Sequence, residues 1–159
     1  MKYLGGLFIG LMIFSIGCST TTDEDVFSEV EQFSTDLDII DDWLVLNGIA
    51  DTLHHESEIR YTVNTAGTGD VYPERYDVVK ISYEGRYLES GIVFDSNPNF
   101  ETVLSRTIEG WQIMVQDMRE GDEFTIYIPS LYAYGQFGNG IIPPSTVLVF
   151  DIKLIRVGI

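Results

Sequence analysis

The stretch YAYGQFGNGIIPPSTVLVFDIKLI, Tyr132 to Ile155, decides the fold. From Thr146 onward it is a run of β-branched, aliphatic and aromatic residues, predicting the last strand of the chain, Thr146 to Val157, buried in a core. The part before it is a loop. Gly135, Gly138 and Gly140 alternate with polar and aromatic residues and lead into Ile141-Ile142-Pro143-Pro144, where glycine and proline punctuate the backbone. A strand that merely fills a core needs no such lead-in, so the loop is expected to hold something.

Working outward, DEFTIYIPS alternates Phe124, Ile126 and Ile128, and DVVKISYEGRYLESG alternates Val79, Ile81 and Tyr83 against Lys80, Ser82 and Glu84. Both read as strands with one apolar face. IRYTVNTAGTGD is a strand running into a Gly-rich turn. Between these lies one helix, GWQIMVQDMREGD, with Trp111, Met114, Val115 and Met118 at helical spacing and Gly121 past its end. Many strands with one short helix predict an α+β domain over residues 57–159, an antiparallel sheet with the helix laid across one face.

Upstream, Ser34 to Asn47 has apolar residues Leu37, Ile40, Trp43 and Leu44 at spacings of three and four, Ser34 as a cap and Gly48 as a stop. It predicts a short amphipathic helix within a helical extension, residues 34–56, packed against the domain and leaving the chain a monomer. Its acids Asp36, Asp38, Asp41 and Asp42 lie mostly toward the end where the helix dipole favours negative charge. The adjacent His54 and His55 point apart on any regular element and lack metal-ligand spacing, so no metal is expected. Residues 18–33, polar and acidic, read as a solvated tether.

At the N-terminus, Lys2 precedes an uncharged apolar run from Tyr3 to Gly17, shorter than the ~20 residues a spanning helix requires. Residues 1–17 therefore read as a secretory signal peptide. Ser15-Ile16-Gly17-Cys18 resembles a bacterial lipobox, which implies lipid on Cys18 and a place in the bacterial cell envelope. A single cysteine allows no internal disulfide.

The chain of 159 residues is 45% apolar, enough for a core, and carries 25 acidic against 9 basic residues, net −16. Such a balance repels phosphates and anionic headgroups, so nucleic acid is excluded as a partner. Contact with a membrane then falls to the lipid. GQFGNGII lacks the lysine and hydroxyl of a phosphate loop. No serine or cysteine stands with a histidine in a triad pattern. What remains is aromatic chemistry, with no cofactor implied.

Four motifs in chain order, VVKISYEGRYLESGIVFDSN, IEGWQIMVQDMREGD, IPSLYAYG and GIIPPSTVLVFDIKLI, resemble the FKBP-type peptidyl-prolyl cis-trans isomerases. The resemblance runs from Ser57 to the end. It implies a twisted antiparallel sheet wrapped on one helix with an apolar pocket between them, and rotation about X-Pro bonds of unfolded or exported polypeptides. It places Tyr83, Phe94, Asp95, Ile108, Trp111 and Tyr134 as catalytic residues. Trp111 lies under the proline ring and the Tyr134 hydroxyl meets a substrate carbonyl. Phe100, Ile142 and Phe150 complete the substrate pocket. Ser105-Arg106-Thr107 is shorter than the family's usual segment, with Thr107 where an aliphatic residue is usual. A binding module on the same fold, without turnover, is the alternative.

Overall fold

The computed structural model describes residues 23–158. The signal-peptide reading of residues 1–17 and the lipid on Cys18 lie outside the described residues. The elements run α1 (Asp23–Leu46), β1 (Leu53–His54), β2 (Arg60–Thr65), β3 (Val78–Tyr87), β4 (Val93–Val103), α2 (Glu109–Met114), β5 (Glu123–Ile128) and β6 (Leu148–Val157). The six strands form one antiparallel sheet in the order β1-β2-β5-β6-β3-β4. This is the expected α+β architecture.

One face of the sheet carries the main core. Val79 and Ile81 of β3, Phe124, Ile126 and Ile128 of β5, and Phe150, Ile152 and Leu154 of β6 cluster with Trp111, Met114, Val115 and Met118 of the α2 segment. All four residues expected from helical spacing are buried, but the helix is shorter than expected: Met118 is already extended, and Gly121 lies well beyond the helix end. A single 3-10 turn, Val115–Asp117, extends α2. Gly110 gives α2 its close approach to β5, since a Cβ there would come within 2.7 Å of the Ile128 side chain.

The opposite face is covered too, by α1. Ile40 and Leu44 pack with Leu88, Tyr127, Val147 and Val149, with Ile39 and Trp43 beside them. Alternation in β5 predicts one wet face, yet every residue from Phe124 to Ile128 is buried. The cause is α1, whose Trp43 ring lies 5.9 Å from that of Tyr127, together with Thr125, which donates to Asp151 at 2.6 Å.

α1 corrects the expected boundaries. It begins at Asp23, well ahead of Ser34, so Ser34 is no cap and residues 23–33 are helix rather than tether. From Asp23 to Leu46 no glycine or proline interrupts the helix, and Phe33 packs edge-on against Tyr132 at 5.4 Å, a tertiary contact that polar composition does not disclose. The helix spans about 36 Å. It ends as expected, where Gly48 adopts φ +67° and Ile49 N–H donates back to Leu44 O at 3.0 Å. The remainder of the 34–56 extension is not helical: His54 is in β1 and pairs with Arg60.

Asp95, Ser96, Asn97 and Pro98, residue types common in turns, all lie inside β4. Proline is tolerated because β4 is an edge strand, and the register against β3 shifts between Ile81↔Phe100 and Tyr83↔Asn97, a bulge around Pro98. Among the described residues no helix is long and apolar enough to cross a membrane, and no three metal-ligating side chains gather.

Candidate active site

A cavity of about 530 Å³ opens where α2 meets the ends of β3, β4 and β6. Its wall is built from strand alternation: Tyr83 from β3, Phe94 and Phe100 from β4, and Phe150 from β6. Trp111, in the first turn of α2, is 4% exposed. Its ring lies edge-on to Tyr83 at 4.9 Å and to Phe150 at 5.2 Å, and Phe94 meets Phe150 at 5.7 Å and 90°. Edge-to-face pairs add about 0.5–1.5 kcal/mol each beyond burial, so the rings hold one another and leave the cavity open rather than collapsing into it.

That interlock depends on Gly85. A Cβ there would sit 2.6 Å from Phe150 Cε1 and 2.7 Å from Phe94 Cζ, so any side chain at this β3 position would push apart the two rings.

The polar groups are few. Tyr83 donates its hydroxyl to Asp95 Oδ2 at 2.6 Å, a bond that joins β3 to β4 across the cavity wall. Burial first, then the bond to Asp95, raises the Tyr83 hydroxyl far above the usual phenol range. Burial and the Asp95 charge raise that of Tyr134 as well. The Tyr134 hydroxyl and the Ile108 backbone N–H have no hydrogen-bond partner among the described residues. Trp111 Nε1 is a buried donor likewise without a partner among them. Donors left open beside an apolar cavity are suited to a carbonyl ligand.

Ile108 and Tyr134 reach the cavity from loops. Ile108 caps α2 in extended conformation, accepting from Trp111 N–H at 3.0 Å. The segment before it is short yet ordered: Leu104–Arg106 form a 3-10 turn, Thr107 Oγ1 donates to Leu104 O at 2.8 Å, and Gln112 Nε2 donates to Thr107 O at 2.7 Å. Tyr134 follows the 3-10 turn Ser130–Tyr132.

Every expected site residue except Ile142 lines this cavity: Tyr83, Phe94, Asp95, Phe100, Ile108, Trp111, Tyr134 and Phe150. Ile142 is corrected. It is 6% exposed and belongs to the main core, because paired backbone bonds with Asn139 turn it inward, while its neighbour Ile141 is 69% exposed. Arg106, Thr107 and Ala133 also line the cavity and were not assigned to it from sequence. Ala133 was legible as the middle of Tyr-Ala-Tyr; Arg106 carries no sequence signal. A second groove, of about 440 Å³, lies on the outer side of β3, β5 and β6, but Ser82, Glu84, Glu123, Asp151 and Lys153 make it polar.

The FKBP-type peptidyl-prolyl cis-trans isomerase family model matches residues 69–155, more than half of the chain. The chain belongs to that family. It is similar to FK506-binding protein 1 of Saccharomyces cerevisiae, 34% identical over 109 residues, covering 64% of this chain and 95% of the relative. It is also 43% identical over 107 residues to the probable FKBP-type isomerase FkpA of Neisseria meningitidis, covering 64% of this chain and 39% of the relative. The chain thus spans about two fifths of the length of the FkpA relatives it matches. Among solved structures, a peptidyl-prolyl cis-trans isomerase from Pseudomonas syringae pv. tomato superposes with TM-score 0.68 at 31% identity, over 79% of this chain and 96% of that one. FkpA from Escherichia coli superposes with TM-score 0.70 at 23% identity, over 84% of this chain and 62% of that one, a likeness of fold. The FKBP core therefore accounts for the sheet, α2 and the aromatic cavity.

Proposed function

We propose that the chain accelerates rotation about X-Pro peptide bonds of unfolded, exported polypeptides. It would do so as a monomer in the bacterial cell envelope, after removal of residues 1–17 and with lipid on Cys18. The observation that carries the activity is the aromatic cavity, lined by Tyr83, Phe94, Trp111 and Phe150 and of a size that holds small ligands.

X-Pro rotation is slow because it destroys amide resonance, a barrier of about 20 kcal/mol. No covalent bond is made or broken. In the twisted state nitrogen and carbonyl lose conjugation, and the group becomes less polar than the planar amide. A water-poor aromatic wall favours that state relative to solvent. With the proline ring seated on Trp111, the Tyr134 hydroxyl and the Ile108 N–H would take the neighbouring carbonyls, so that the acyl side turns against a clamped ring. Each tenfold gain requires about 1.4 kcal/mol, within reach of a few such contacts. Asp95 orients Tyr83 in this account.

The test is the rate of cis-trans isomerisation of a short X-Pro peptide with residues 19–159 present. Acceleration over buffer is expected, and its absence rejects the reading. A binding module without turnover is the second reading, favoured by the exposure of Phe137 (84%) and Ile141 (69%) on the loop beside the site. Suppressed aggregation of an unfolded client together with a silent peptide assay would select it.

A further inference from the structure

Asp36 of α1 is 0% exposed, unlike its exposed neighbours Asp38 and Asp42. Its carboxylate is fully engaged. Oδ2 accepts from the Ser130 backbone N–H at 2.7 Å and from the Ser130 hydroxyl at 2.6 Å, and Oδ1 accepts from Gln32 Nε2 at 2.7 Å. A carboxylate taken out of water is tolerated where such charge-assisted bonds replace its hydration, and it then ties its partners down firmly. Ser130 is itself 2% exposed.

The location of Ser130 gives these bonds their meaning. It opens the 3-10 turn Ser130–Tyr132, after which Ala133 and Tyr134 line the aromatic cavity. Tyr132 of the same turn packs against Phe33 of α1. α1 is a firm base for this contact, because Ile40 and Leu44 are buried against the sheet and Arg60, 5% exposed, forks onto Asp41 at 2.9 and 2.8 Å. The Tyr134 hydroxyl has no protein partner among the described residues, so its position is set through its backbone.

We propose that Asp36 is a positioning residue for the cavity: through Ser130 it fixes the turn that presents Ala133 and Tyr134, making α1 a strut of the site rather than a spacer. The proposal rests on the reading of the cavity as the isomerisation site.

The experiment uses the full chain with Asp36→Ala, Asp36→Asn and Ser130→Ala, each alone and combined with Tyr134→Phe, and with Asp38→Asn as control. Peptide isomerisation gives kcat/KM, and amide hydrogen exchange follows residues 130–138 against β3 and β6. Asp36→Ala and Ser130→Ala are expected to lower kcat/KM about tenfold, and by less than about threefold once Tyr134 is Phe, because the hydroxyl they place is gone. Exchange over 130–138 is expected to quicken while β3 and β6 stay protected, and Asp38→Asn to change neither readout. A loss that multiplies in full with Tyr134→Phe, or a kcat/KM within about twofold of the parent, overturns the proposal. Should Asp36→Ala fail to fold, Ser130→Ala, which leaves Asp36 the backbone N–H and Gln32, decides by the same criteria. If the parent chain itself shows no acceleration, the functional reading falls, and exchange in Asp36→Asn decides the strut: quickening confined to 130–138 upholds it, and unchanged exchange overturns it.

Discussion

Tyr83 and Tyr134 show at single-residue scale what kind of site this is. Both hydroxyls are pushed above the ordinary phenol value of 10.0, by burial first and by Asp95 second. A raised folded pKa means that the protonated form is the one the fold favours. Its contribution to stability is complete below the unfolded value and lost only as pH rises through the folded one. The peptide-isomerisation rate is therefore expected to show no phenol titration step between about pH 7 and about pH 9.5, as a pH profile of kcat/KM would record. A step in that range would mean that a hydroxyl acts as base or anion. At this scale the sequence was informative where several residues share a motif. Trp111 alone is an ordinary core residue, and the Gly-Trp, Tyr-Ala-Tyr-Gly and Ile-Ile-Pro-Pro elements together assign it. Arg106 and the inward turn of Ile142 were not legible, since both depend on loop geometry that spacing does not encode. The 2.6 Å bond from the Tyr83 hydroxyl to Asp95 was likewise not legible, since it depends on the register of β3 against β4.

At the scale of elements, strands and α2 follow from periodicity because each has one face on the main core. α1 was legible at its C-terminal end, where apolar spacing and Gly48 agree. Its N-terminal half was hidden, because acidic sequence resembles solvated chain until Phe33 finds its partner, Tyr132, on the Ser130 turn. The same helix explains why β5 is buried on both faces. Ile40, 0% exposed at the centre of that second cluster, provides the check: Ile40→Ala is expected to cost about 2–5 kcal/mol in urea unfolding, with one cooperative transition. If α1 were an independent stalk, the stability of the sheet would not change.

For the molecule as a whole, two layers of packing serve one cavity. α2 supplies Trp111 from one side of the sheet, α1 braces the turn before Tyr134 from the other, and the edge position of β4 lets a bulged, proline-containing strand bring Phe94, Asp95 and Phe100 to the wall. The net charge of −16 disfavours phosphate-bearing partners, and the mechanism asks for none. The central claim is that a dry aromatic wall lowers the cost of twisting a prolyl amide. Phe94→Ala tests it most directly, because Phe94 is only half-buried on the edge strand and its removal opens the wall to water. With the far-UV spectrum unchanged, isomerisation of the X-Pro peptide is predicted to lose at least about tenfold in kcat/KM; a folded Phe94→Ala chain that works at the parent rate would contradict the account.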